Sequence, residues 1–296
     1  MRKTVVNKLV EIANDKTFFV TGDLGFGAFE PVQNKYADRY INVGIAEQNM
    51  AGFSAGLASR GNKVFMYSIS TFPTLRCLEQ IRDDICYHNL DVNILNVGTG
   101  FEYGSLGITH HSTEDISCLR AIPNMKIYTP SNAGETELVM NEICSKGGPS
   151  YVRLNKSGAD EYPCESTTIN CVKQYPGKTC IVASGTILQE ALDYDRENEK
   201  HVSIFSLVNY FKEKDLIAEK LKKYSNIITL EEHQITGGLY SYLCEIKNEY
   251  NLNSKIYPLA LKNKFTSKVG KQKELRAVYN IDKTAVKNLI DSIGEL

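Results

Sequence analysis

Apolar positions recur at helical spacing in TVVNKLVEIAND (4–15) and then crowd together in TFFVTGD (17–23). The first pattern predicts a helix with one buried face, the second a short buried strand stopped by Gly-Asp. The alternation continues. YINVGIA (40–46), KVFMYSIS (63–70), VNILNVGTG (92–100), MKIYTP (125–130) and PSYVRLNK (149–156) read as strands. Between them, EQNMAGFSAGLASRG (47–61) reads as a helix of small residues closed by Gly61. LRCLEQIRDDICYHN (75–89) reads as an amphipathic helix. STEDISCLRAI (112–122) predicts a helix capped by Ser112 or Thr113, and NAGETELVMNEICSKG (132–147) one capped by Asn132.

The pattern weakens at SGADEYPCESTTINCVKQYPG (157–177), a polar stretch with two prolines, which predicts a linker with a short hairpin. A second block follows. TCIVASG, HVSIFSLV, NIITLEEH and KIYPLAL read as strands; ILQEALDYDREN, KDLIAEKLKKY, GGLYSYLCEIKNEY and KTAVKNLIDSI read as helices. Such alternation predicts an α/β protein of two domains, each a mostly parallel sheet with helices on both faces. The expected boundaries are 1–160, a linker at 161–176, and 177–296. Ligands of such sheets sit at the carboxyl ends of strands. TGDLGFG, NVGIAEQ, SISTFP and VGTGFEYGSLGITHH all follow strands and are expected along one edge.

Composition narrows the classes. The 296 residues are 42% hydrophobic and 23% charged, an ordinary globular balance, with a formal net charge of −1 and no long basic run. Nucleic acid is therefore not an expected partner. Eight scattered cysteines form neither a CxxC pair nor a Cys/His cluster of zinc spacing, so reduced thiols in a cytoplasm are expected. No apolar run approaches the roughly 18 residues of a membrane span, and the N-terminal stretch is no signal peptide.

Few residues stand out chemically. Glu47 lies among small and apolar neighbours, with no nearby cation in the pattern. It is either a helix-start acid favoured by the dipole or a carboxyl poised by apolar surroundings. His110 and His111 follow a Gly-rich loop. Adjacent side chains diverge, so joint metal ligation is not expected; one facing a cleft suits a proton or hydroxyl partner. Phe72 is either a core aromatic or a stacking surface for a flat ligand. Arg153 and Lys156 end a strand, as solvated charges or as an anion clamp, and His233 suits a cap or an interface. TGDLGFG lacks the Lys-Ser/Thr of a P-loop.

Together these segments resemble the C-terminal half of transketolase, a thiamine-diphosphate enzyme. The resemblance rests on GDLG (22–25), RYINVGIAEQNM, STF, LEQIRDD, GITHHSTEDISCLRAIPNMKIYTPSN, PSYVRLNK and LEEH–GGL, and it spans essentially the whole chain. It implies a pyrimidine-binding domain followed by a transketolase C-terminal domain. It makes Glu47 the catalytic acid that hydrogen-bonds N1′ of the cofactor's aminopyrimidine, favouring the imino form that removes the thiazolium proton. Phe72 would stack on that ring, and Asp23 would lie near the cofactor. His110 would contact substrate hydroxyls, and Lys156 and Arg2 would fall where the family binds phosphate.

Three departures qualify this. Leu106 stands where the family grips a hydroxyl with Asp. An upstream substrate histidine is replaced within VGTGFEYG, by Gly100. Lys156 for Arg weakens bidentate phosphate recognition. Altered substrate specificity is expected. The chain also has GDL at 22–24 but no GDG with a following Asn, the family's Mg2+ or Ca2+ and diphosphate motif. The resemblance therefore implies the C-terminal subunit of a split transketolase, inactive alone. An N-terminal subunit would bring the metal and diphosphate site to an α2β2 assembly acting on sugars. The beta subunit of a 2-oxo acid dehydrogenase decarboxylase is the alternative; deoxyxylulose-phosphate synthase, a non-catalytic scaffold and a metal-dependent hydrolase using both histidines are further ones.

Overall fold

The computed structural model describes residues 1–293. The first block runs α1 (Arg2–Ile12), β1 (Thr17–Thr21), α2 (Glu30–Tyr36), β2 (Tyr40–Asn42), α3 (Glu47–Ser59), β3 (Lys63–Ile69), α4 (Leu78–Gln80), β4 (Val92–Val97), α5 (Asp115–Arg120), β5 (Lys126–Tyr128), α6 (Ala133–Ser145) and β6 (Ser150–Leu154). Its strands form one parallel sheet in the order β2-β1-β3-β4-β6-β5.

Both faces of this sheet are covered, which is why its strands are continuous apolar runs. On β3, Val64 and Met66 face one side with Met50 of α3, Ile116 of α5 and the turn after α4. Phe65 and Tyr67 face the other, with Leu9 of α1, Val32 of α2 and Val139 of α6.

The second block runs β7 (Ile169–Lys173), β8 (Thr179–Ser184), α7 (Leu188–Glu197), β9 (Ser203–Leu207), α8 (Lys214–Leu221), β10 (Asn226–Gln234), α9 (Leu239–Glu249), β11 (Lys255–Leu261), α10 (Gln272–Val278) and α11 (Lys283–Ile293). The strand order is β11-β10-β8-β9-β7, parallel except for β7. One apolar cluster joins the two sheets, with Ile127 and Tyr151 of the first packed in the same core as Phe205 and Leu207 of the second.

Three local expectations change. The stretch 161–176 contains β7, which pairs antiparallel with β9 and not with a hairpin partner of its own. The partner strand comes some thirty residues later, beyond any local pattern. The helix expected over 75–89 is irregular: a 3-10 turn (Leu75–Cys77), α4, then a π-helical segment, Ile81–Cys86. The wider turn, with the Tyr87 N–H reaching Arg82 O at 2.9 Å, keeps Ile81, Ile85 and Cys86 buried. Neither Ser112 nor Thr113 caps α5, whose N-cap is Glu114. Ser112 is tied by its backbone to Gly100, and the Thr113 hydroxyl donates to the Glu114 carboxylate. Helices α2 and α10 were not legible. Asn132 caps α6 as expected, accepting the Glu135 N–H at 2.9 Å.

Candidate functional site

The loops after β1, β2, β3, β4 and β6 gather at the carboxyl edge of the first sheet. Glu47 opens α3 there and is 3% exposed. Gly22 of the β1 loop packs beside it: a Cβ there would lie 3.9 Å from Glu47 Cγ, an ordinary contact distance. Asp23, beside it, is exposed with φ 60°; its carboxylate accepts from Asn42 Nδ2 at 2.9 Å.

Contrary to expectation, Glu47 has a cation beside it. Arg76 Nη1 lies 2.9 Å from Glu47 Oε2, and the same guanidinium sits 4.3 Å from the centroid of the Phe72 ring. Arg76 is four residues beyond Phe72, a helical-turn spacing that signals contact. Phe72 is half-buried, not a core residue.

His110 joins this group. Ser70, held at φ 55°, donates its hydroxyl to His110 O, and Thr71 Oγ1 donates to Thr109 O at 2.9 Å. These bonds stitch the β3 loop to the β4 loop and set the Phe72 and His110 rings edge-to-face, 5.2 Å apart. Burial, then His111 and Arg76, push the His110 imidazole below its ordinary pKa, so it is neutral at pH 7. His111 points inward: it is buried, with Nδ1 2.7 Å from Thr266 Oγ1 and Nε2 3.1 Å from Gly104 O. Leu106, the position with Asp in the family resembled, is 56% exposed.

Lys156 and Arg153 part company. Lys156 is exposed, its Nζ 4.3 Å over the Tyr103 ring, which in turn lies 6.3 Å from the His110 ring. Arg153 is buried between the sheets: Nε donates to Asp115 Oδ2 at 2.9 Å, and Nη2 to Ser112 O and Glu232 O. Arg2 opens α1 and faces Tyr67 and Glu102. Gly100 also faces inward, since a Cβ there would sit 2.6 Å from Glu232 Oε1. Arg76, Glu102 and Tyr103 escaped sequence reasoning; only Arg76 carries a spacing signal.

LEEH–GGL is structural. Glu231 accepts the Leu239 and Tyr240 N–H groups at the start of α9. Burial still pushes its carboxyl up to about 8. His233 bridges the sheets, Nδ1 at 2.8 Å from Gln234 O and Nε2 accepting the Ser117 N–H of α5 at 3.4 Å. Among the described residues no group of three or more His, Cys, Asp or Glu could hold a metal ion, and no helix is long and apolar enough to cross a membrane.

The cleft thus sets a buried carboxylate, an aromatic face and a neutral imidazole within a few ångströms, with a planar nitrogen-bearing group already stacked and hydrogen-bonded between the first two. Comparison with known proteins agrees. The family described as "Transketolase, pyrimidine binding domain" matches residues 3–160. The chain is 32% identical over 258 residues to a putative transketolase C-terminal section of Methanocaldococcus jannaschii, covering 84% of this chain and 80% of that one. It is 29% identical over 274 residues to a subunit of the apulose-4-phosphate transketolase of Actinobacillus succinogenes, covering 89% and 88%. A solved structure described as "Split gene transketolase, inactive beta4 tetramer" superposes with a TM-score of 0.82 at 26% identity, covering 98% of this chain and 96% of the other. Residues, fold and relatives converge: the chain belongs to the transketolase family, through its pyrimidine-binding domain.

Proposed function

We propose that this chain is one subunit of a thiamine-diphosphate enzyme that transfers a two-carbon ketol unit between sugars. An N-terminal partner subunit brings the diphosphate and Mg2+ or Ca2+ site, in an α2β2 assembly. The observation that carries the reading is the Glu47–Arg76–Phe72 sandwich. A guanidinium is flat and donates hydrogen bonds in its plane, as an aminopyrimidine does, so a gap that holds one fits the other.

When bound, the cofactor supplies the electron sink. The chain's own residues do the rest. Glu47, buried, would hold a hydrogen bond at the ring nitrogen, Phe72 would offer its face to the ring, and Asp23 would lie near the cofactor. His110, neutral, receives or gives a hydrogen bond at a substrate hydroxyl. Lys156 and Arg2 face the far end of the substrate. Leu106, exposed where the family has Asp, and Lys156 support a specificity unlike the ordinary pentose phosphates. Arg153, three residues before Lys156, serves the interface between the sheets.

Exposed apolar side chains on loops of this edge, Phe26, Ile45, Leu106 and Ile108, support a covering partner. So do the relatives themselves: one is a subunit of a transketolase, one a C-terminal section, and one a split-gene product inactive as a beta4 tetramer. The eight free cysteines support a reducing, cytoplasmic setting.

The test is calorimetric titration of thiamine diphosphate with Mg2+ into the chain alone and into the chain co-expressed with an N-terminal partner. Binding only with the partner is expected. Tight binding by the chain alone would place the metal half here and overturn the split-site reading.

A further inference from the structure

Beyond His110 lies a mixed-charge cluster of Arg2, Glu102 and Lys156 around the Tyr103 ring. Gly98 (φ 89°) makes it possible: a Cβ there would fall 2.0 Å from the Tyr103 ring, so only glycine lets that ring lie flat against the backbone. Lys156 Nζ sits over the same ring, 4.3 Å from its centroid. Neither Lys156 nor Arg2 forms an ion pair among the described residues. Between them is Glu102. Its Oε1 accepts the Lys156 N–H at 2.7 Å, while Oε2 is buried with no hydrogen-bond partner.

We propose that Glu102 sets the charge preference of this end of the cleft: Arg2 and Lys156 receive a doubly charged group such as a phosphate ester only as Glu102 takes up a proton, and with Glu102 ionised the cluster favours substrates ending in a hydroxyl. The charges follow simply. Two cations and a carboxylate leave one net positive charge; neutral Glu102 leaves two, in a half-buried place where each counts more than in water. Burial pushes the Glu102 carboxyl up to about 7, with Glu232 of β10 acting the same way and Lys156 and Arg2 of α1 opposing. Tyr67 of β3 and Tyr103 are the other titratable groups facing it, and burial pushes the Tyr67 hydroxyl up, which keeps it neutral in this range. A carboxyl so placed exchanges its proton near neutrality, which makes anion binding and proton uptake one event.

This deepens the proposed function by naming the charge class of the substrate, and its test needs neither cofactor nor partner, so the two readings fail separately. Sulfate, which stays doubly charged from about pH 6 to 8, is titrated calorimetrically into the full chain in buffers of different ionisation enthalpy. Wild type is expected to bind about tenfold more tightly near pH 6 than near pH 8, taking up half a proton or more per sulfate at the higher pH. Glu102→Gln is expected to bind about tenfold more tightly than wild type near pH 8, with no uptake, and Lys156→Met in that background to lose the gain. Binding without proton uptake in wild type overturns the proposal even if the variant fails to fold. So does uptake that persists in Glu102→Gln, which would assign the proton to His110, or the absence of sulfate binding throughout.

Discussion

Glu47 Oε2 and Arg76 Nη1 lie 2.9 Å apart, and that guanidinium also rests 4.3 Å from the Phe72 centroid. One side chain thus fills the gap a flat base must enter. Arg76 is about half exposed and sits on a 3-10 turn ahead of the π-helical segment, so it can swing out. An ion pair with one half-exposed partner contributes up to about 1 kcal/mol and a cation–π contact about 0.5–1. Displacing Arg76 therefore costs about 1–2 kcal/mol, roughly tenfold in affinity. Arg76→Ala in the assembled complex is expected to bind thiamine diphosphate about tenfold more tightly by calorimetry. Weaker binding would mean that Arg76 holds the cofactor and does not merely fill its place.

Glu47→Gln separates a catalytic acid from a structural one. Gln keeps the shape and an acceptor for Arg76 but cannot share a proton. Turnover of the assembled complex is expected to fall by at least about 100-fold. The melting temperature should barely move, because an ion pair with a half-exposed partner contributes at most about 1 kcal/mol. A scaffold subunit would keep its activity.

The central strands and the residues that follow them were legible because parallel strands buried on both faces leave continuous apolar runs, as in KVFMYSIS and VNILNV. β7 was not, since INCVK alternates with polar residues and finds its partner far along the chain. Glu47, Phe72 and His110 come together as expected of residues that follow parallel strands, so their shared edge was legible. Arg153 was misleading: charge at a strand end looks the same whether it faces water or a buried carboxylate on another element. Glu102 and Tyr103 lie in a Gly-rich loop without periodicity, where only the folded backbone brings them to Lys156.

Arg153→Met tests that distinction directly. The guanidinium is 6% exposed and its partner Asp115 is fully buried, accepting also from the Tyr151 hydroxyl. Removing it leaves a buried carboxylate without its cation, at a cost of about 3–5 kcal/mol. Urea unfolding should show this loss, with Asp115→Asn in the same chain restoring part of it. The KM of the folded fraction for sugar should be unchanged; a raised KM would return Arg153 to the substrate.

His233 makes stability depend on pH. Its ring is buried between Asp115, 3.9 Å from Nε2, and Glu231, 3.9 Å from Nδ1. Burial outweighs the pull of Asp115 and lowers its pKa from 6.5 to about 4. Between those values the unfolded chain binds the proton and the folded chain does not. The stabilisation is therefore whole above about pH 6.5 and is lost as the pH falls towards 4. Carboxylates held low, Asp115 and Glu142, add to the acid limb at lower pH. His233→Gln removes the imidazole and should flatten the limb by about 3 kcal/mol between pH 7 and 4, read from urea unfolding at several pH values. Parallel curves for variant and wild type would mean that the ring takes up its proton in the folded state, with Asp115 as its counter-charge across the two sheets.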